Sequence, residues 1–154
     1  MRYWLLIVIF LGGCATAPIE QTATTSPDLF TYQSTFIGDS SKVLAIINEL
    51  PESNNFLQLS LQTTQRPYSA SLDYSTVTHP KIVAIANATW LFTLIPNVEQ
   101  LQFSFDDDVY TLTRQQLVNW YGQDFTTIST TEELQLLIDT FTANAIDVDT
   151  ILAN

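Results

Sequence analysis

Ile82-Val83-Ala84-Ile85-Ala86-Asn87-Ala88-Thr89-Trp90-Leu91-Phe92-Thr93-Leu94-Ile95 is the stretch whose reading decides the fold. Pro80 stands near its start and Pro96 closes it. A run this greasy is either a membrane span or the centre of a soluble core. A spanning helix needs roughly 20 apolar residues, and this run offers about 14. It also carries Asn87, Thr89 and Thr93, which lipid would leave without partners. The segment therefore reads as a core helix, apolar nearly all round because it is buried.

On each side the period changes from helical to two. Upstream, Leu57, Leu59 and Leu61 alternate with Gln58, Ser60 and Gln62, and Tyr68, Ala70, Leu72 and Tyr74 alternate with Ser69, Ser71 and Asp73. Downstream, Leu101, Phe103 and Phe105 alternate with Gln100, Gln102 and Ser104. Asp106-Asp107-Asp108 then turns the chain into a fourth strand, residues 109–112. Period two with one polar face predicts half-buried antiparallel strands, arranged as two hairpins. Before them, Asp39 is placed to cap a helix whose face is Val43, Ile46, Ile47 and Leu50, with Pro51 as its stop. After them, Thr113 with Gln116 predicts a capping box, and Gly122 a helix end. Thr130 with Glu133 repeats the capping pattern ahead of Leu134, Leu137, Ile138 and Phe141. The tail with Ile151 and Leu152 either docks or frays. The expectation is an α+β, two-layer fold: an antiparallel sheet of about four strands with helices on one face. The order of strands between the hairpins is not legible.

The chain begins differently. Arg2, the apolar residues 3–11, Gly12, Gly13 and Cys14 have the layout of a secretory signal. Leu11-Gly12-Gly13-Cys14 resembles a bacterial lipobox. That resemblance implies cleavage between Gly13 and Cys14, a diacylglyceryl group on the Cys14 thiol, and lipid anchoring at the extracytoplasmic face of the cell membrane. Residues 1–13 are thus expected to be the signal and 14–28 a lipidated, Thr- and Pro-rich tether reaching at most about 45–50 Å. Residues 29–154 are expected to form one globular domain. Cys14 is the single cysteine, so no disulfide supports that domain. The formal net charge is -11, one unit more negative once Arg2 leaves with the signal. Such acidity repels nucleic acid and anionic headgroups.

Several separated motifs carry a wider likeness. They are residues 36–43 (Phe-Ile-Gly-Asp-Ser-Ser-Lys-Val), Leu50-Pro51, Leu61-Gln62-Thr63, Arg66-Pro67-Tyr68, Asn87-Ala88, residues 91–95 (Leu-Phe-Thr-Leu-Ile), Asn97-Val98, and Tyr110 with Thr113-Arg114. In these the chain resembles the DUF4825 family, a small bacterial domain of unknown function. Ser69 departs from it, standing where the family's glycine follows Pro-Tyr. The resemblance implies Gram-positive lipoproteins, or an extracytoplasmic module on membrane metallopeptidases related to β-lactam-sensing antirepressors. It implies no activity.

Candidate site residues are few. His79 is the single histidine, and its place before Pro80 at a helix start favours a structural role over a catalytic one. Ser40-Ser41-Lys42 lacks the Ser-x-x-Lys spacing of an acylated penicillin receptor and reads as an exposed helix start. Asp106-Asp107-Asp108 lacks the spaced ligands of a calcium loop and reads as a solvated turn. The pattern Asn87-Ala88-Thr89 falls inside the core helix and is not a modification site. Arg66 and Arg114 would grip a carboxylate or phosphate if free, and pair with nearby acids otherwise. Trp120-Tyr121 is a candidate contact surface, with core packing the competing role. No metal set and no cofactor motif is read.

The expected function is a membrane-anchored accessory module that binds an envelope ligand or a membrane protein, with a small cell-envelope hydrolase as the alternative. A cleft joining His79 or paired acids to a hydroxyl would favour the hydrolase. A smooth surface with an apolar patch would favour the binding module.

Overall fold

The protein is seen in a computed structural model that describes residues 28–152. The lipobox, Cys14 and the tether up to residue 27 lie outside the described residues. A 3-10 turn, Leu29–Tyr32, is capped by the Asp28 carboxylate. The elements that follow are helix α1 (Ser40–Ile47), strands β1 (Phe56–Gln62) and β2 (Ser69–Tyr74), helix α2 (Pro80–Leu94), strands β3 (Gln100–Phe105) and β4 (Asp108–Thr113), and helices α3 (Arg114–Tyr121), α4 (Thr131–Thr142) and α5 (Ala145–Leu152). Among the described residues no helix is long and apolar enough to cross a membrane.

The long apolar run is α2, and it is the centre of the core. Every residue from Val83 to Leu94 is buried. The helix lies against β3 and β4 on one side and against α4 and α5 on the other. Its polar residues hold its neighbours. The Thr89 hydroxyl donates to the Ile85 carbonyl and meets the Tyr121 hydroxyl at 2.9 Å. Asn87 Nδ2 donates to the Pro51 carbonyl and to the Tyr74 hydroxyl, both at 3.1 Å. Thr93 donates within the helix to the Thr89 carbonyl at 2.8 Å, whereas Asn87 and Thr89 reach partners on other elements that a protein interior supplies.

The sheet runs β1-β2-β3-β4. Both hairpins pair antiparallel, but the central pair, β2 with β3, is parallel. This corrects the all-antiparallel expectation, and the cause is α2 itself. A single helix carries the chain from the end of β2 back across the sheet, so β3 starts at the same end as β2. Register then sorts the side chains. Leu59, Leu72, Phe103 and Tyr110 form one row on the helix-covered face. Ser60, Ser71, Gln102 and Thr111 form the matching row on the open face.

Four local expectations change in detail. The pairing of β1 shifts between Phe56 and Gln58, so Leu57 sits in a bulge and is 66% exposed instead of facing the core with Leu59. Helix α1 is capped by Asp39 as expected but ends at Ile47, before Pro51, through tightened bonds from Glu49 to Ile46 and from Leu50 to Ile47. The acidic run is not all turn: Asp106 and Asp107 make a two-residue connection, with Asp106 at φ 48°, and Asp108 already pairs with Phe105 in the sheet. The Thr113–Gln116 capping box is complete and Gly122 ends α3 at φ 71°. At α4, however, Glu133 reaches the backbone N–H of Ser129 instead of Thr130, so that box is only half closed. The tail docks, with Val148 and Ile151 of α5 buried.

Candidate functional site

The two predicted arginines come to neighbouring places and are both engaged. Arg114 opens α3 and points back to the end of α2. Its Nε donates to the Val98 carbonyl at 3.1 Å and its Nη2 to the Ile95 carbonyl at 2.8 Å. The guanidinium lies 5.1 Å from the Phe92 ring centre and 6.0 Å from that of Phe125. Burial pulls its pKa below the usual guanidinium value, partly offset by Asp124 and Glu99. This geometry satisfies carbonyls at the α2 C-terminus, where a cation is favoured by the helix dipole. Arg66 pairs with Glu99 at 2.7 Å on the surface and lies over the Tyr68 ring. Neither arginine presents a free anion grip.

Trp120 and Tyr121 are packing residues. Trp120 meets the Phe141 ring edge-on at 5.2 Å, which ties α3 to α4. Tyr121 is buried, and loss of solvent raises its pKa to about 12 against the opposing bond to Thr89. Lys42 pairs with Asp39 at the exposed start of α1. Asp106 accepts a hydrogen bond from the Thr76 hydroxyl. Among the described residues no group of three His, Cys, Asp or Glu side chains could hold a metal ion.

His79 is different, because the fold gathers other chemistry around it. It is the N-cap residue of α2, with Pro80 as the first helical residue and no side-chain cap. A cleft of about 440 Å³ opens there, between the first turn of α2, the start of β4 and the α4–α5 connection. His79, Lys81, Asp108, Tyr110 and Asp149 line it, with Ile82 and Val148 as apolar wall. Lys81 Nζ bonds Asp149 Oδ1 at 2.6 Å, and that bond and the charge of Asp149 raise the lysine pKa. Burial raises the Tyr110 pKa, and the adjacent Asp108 carboxylate raises it further, while Lys81 works against both. The His79 imidazole hydrogen-bonds to no hydroxyl or carboxylate among the described residues. The cleft thus offers one ammonium, two carboxylates, a phenol and an imidazole beside an apolar wall. That inventory suits a small ligand with both polar and apolar parts.

A second hollow of about 630 Å³ lies beside Trp90, rimmed by Asp28, Glu49 and Glu132. Asp28 is already committed there, accepting from the Phe30 N–H and the Thr131 hydroxyl.

The sequence offers His79 as a candidate site residue and Tyr110 only within the family likeness, and does not point to Lys81 or Asp149. Lys81 and Asp149 are 68 positions apart, and Asp149 belongs to a tail whose docking the sequence does not decide. Only the folding of α5 onto the core brings it in.

The profile of the DUF4825 family, described as a domain of unknown function, matches residues 29–115. No curated protein and no solved structure matches the chain. The matched stretch supplies the α2 and β4 sides of the His79 cleft, and α4 and α5 close it from outside the match. With more than half of its length covered by that profile, the chain belongs to the DUF4825 family.

Proposed function

We propose that this protein is an extracytoplasmic binding module, held to the cell membrane by a diacylglyceryl group on Cys14, and that the His79 cleft is its ligand site. The observation that carries the reading is the cleft itself. Groups of both charges and an apolar wall, drawn from three parts of the chain, converge on one concavity. Elsewhere the candidate residues are consumed by structure, as Arg114 is at the α2 C-terminus. The lipobox supports the anchoring, and the chain's acidity argues against nucleic acid as a partner.

The test joins location to binding. In intact cells, the natural chain should incorporate lipid label and fractionate with the membrane. Cys14→Ala should be released while keeping the same unfolding midpoint. A photo-crosslinking residue at Ile82 should capture a defined envelope component, and the same residue at Leu57, on β1, should not. A Cys14→Ala variant that still takes up lipid would overturn the anchor. Equal capture from both positions would overturn the cleft.

The hydrolase reading retains one specific observation, since His79, Asp108, Asp149 and Tyr110 line one cleft. General-base catalysis needs the base within hydrogen-bond reach of the proton it removes. Hydrolysis of simple ester and amide substrates, lost in His79→Gln and in Tyr110→Phe, would move the assignment to an enzyme.

A further inference from the structure

Trp90 is 3% exposed, and an indole so buried ordinarily gives its N–H to a partner. Among the described residues the Trp90 Nε1 has none. Nor is it sealed, since among those residues the one enclosed side-chain polar atom left unpaired is Asn87 Oδ1. The donor opens instead on the hollow of about 630 Å³ that Trp90 lines, a volume within the roughly 300–1,000 Å³ of ligand sites. Three carboxylates rim that hollow, each from a different part of the chain. Asp28 caps the first 3-10 turn, Glu49 follows α1, and Glu132 lies in the first turn of α4. Asp28 commits Oδ1 alone, to the Phe30 N–H and the Thr131 hydroxyl. Among the described residues the Glu49 and Glu132 side chains make no hydrogen bond and no ion pair. Every cation among those residues is engaged elsewhere. Lys42, Arg66 and Lys81 pair with Asp39, Glu99 and Asp149, and Arg114 is bonded to main-chain carbonyls. Residues 15–27, which lead into the hollow at Asp28, contain no lysine or arginine. The charge complement of this rim therefore comes from another molecule.

Two facts define that molecule. The three carboxylates do not converge to hold a metal ion, so they address positive charges set apart from one another. The Trp90 donor calls for an acceptor, which a protonated polyamine lacks and a peptide carbonyl supplies. We propose that the Trp90 hollow binds a lysine-bearing segment of a partner protein. A main-chain carbonyl of that segment accepts from Trp90 Nε1, and its ammonium groups meet Glu49 and Glu132. Both carboxylates are exposed, so each pair contributes little alone and weakens as salt rises. Affinity comes from several pairs acting together around one buried donor. This inference is independent of the cleft at His79 and goes beyond the proposed function, because it assigns a second concavity and the class of its partner.

The experiment uses the isotope-labelled full chain and a capped decapeptide of alternating glycine and lysine. Spermine and the matching glycine–glutamate peptide are the comparisons. The lysine peptide should shift the Trp90 indole N–H signal and the backbone amides of residues 49–50 and 129–132. Tenfold higher salt should weaken it at least fivefold. Spermine should bind at least fivefold more weakly and leave the indole signal in place, and the glutamate peptide should not bind. Glu49→Gln with Glu132→Gln should weaken the lysine peptide at least fivefold with little change in the unfolding midpoint, since both side chains are exposed. Asp106→Asn with Asp107→Asn removes the same charge outside the hollow and should leave binding within twofold. Shifts confined to the His79 cleft, equal losses in the two double variants, a stationary indole signal, spermine binding as tightly as the peptide, or no binding of the lysine peptide would each overturn the proposal. The cleft reading would stand or fall separately, on the crosslinks from Ile82.

Discussion

The two ends of α2 are built to opposite specifications. At its C-terminus the Ile95 carbonyl is met by Arg114, the Leu94 carbonyl accepts the Thr35 N–H, and two aromatic rings flank the guanidinium. At its N-terminus Pro80 follows an uncapped His79, and the charged groups nearby stand in water around an open cleft. Both ends carry a basic side chain. Arg114 spends its donors on main-chain carbonyls and is half withdrawn from solvent, whereas Lys81 is bound to a surface carboxylate, Asp149, with both side chains about half exposed (46% and 64%). The difference teaches where to look for function in an acidic chain with few cations. A cation bonded to the backbone is structure, and a cation paired with one exposed carboxylate at a cleft stays open to solvent.

The contrast is broken most forcefully at Arg114. Arg114→Met keeps much of the side-chain bulk but removes two charge-assisted bonds and leaves the Ile95 and Val98 carbonyls without them. The expected loss is about 2–4 kcal/mol of folding stability, from hydrogen bonds to a charged group and the cost of an unpaired Val98 carbonyl, while the Ile95 carbonyl keeps the Val98 N–H. Arg114→Lys should recover less than half, because one ammonium cannot reproduce the planar fork that reaches both carbonyls. Denaturant unfolding checks both variants. A loss below about 1 kcal/mol for the methionine variant, or full recovery by lysine, would remove the clamp from the account.

The next effect comes from alkali. Tyr74 and Tyr121 are buried on either side of α2, and loss of solvent raises each pKa from 10.0 to about 12. A raised pKa in the folded state means the neutral phenol is the form the fold favours. That stabilisation is complete below about pH 10 and is lost as pH rises from 10 to 12. Two units for each group correspond to roughly 2–3 kcal/mol per tyrosine. The stability curve should be level to pH 10 and fall steeply above it. Tyrosinate absorbance should show two late-ionising phenols, and Tyr121→Phe should abolish one of them. An early, single titration of every tyrosine would show that neither phenol is held as buried.

The same contrast explains what the sequence reveals. The α2 helix is legible because its length and its Asn and Thr content are local facts, and a membrane span fails on both. Thr113, Gln116 and Gly122 are legible because capping depends on spacings of three residues and one φ angle. Leu57 misleads because perfect alternation cannot show a shift in pairing that is set by the facing strand. The parallel central pair is not legible, because alternation does not say which strands of the two hairpins become neighbours across the helix. Arg114 is named by its charge, but its carbonyl partners lie 16 and 19 positions away, across the end of a helix. The cleft is the least legible part. It needs α5 to dock, and a sequence gives no register for a short tail helix on a finished core.

The smallest effect sharpens the comparison most, because it separates stability from titration. Lys81→Gln removes an exposed ion pair, and exposed pairs contribute little to folding. The unfolding midpoint should not change measurably, in contrast to Arg114→Met. What should move is the cleft. Lys81 lowers the Tyr110 pKa against the raising effects of burial and of Asp108, so removing its charge should push that phenol further up. Asp108→Asn should act in the opposite direction. Asp149→Asn should lower the Lys81 pKa, since Asp149 is the main cause of its elevation. Ring-proton shifts of Tyr110 followed against pH read the first two, and the Lys81 side-chain signal reads the third. If Lys81→Gln instead costs as much stability as Arg114→Met and leaves Tyr110 unmoved, the Lys81–Asp149 pair is a second structural clamp, and α2 is sealed at both ends.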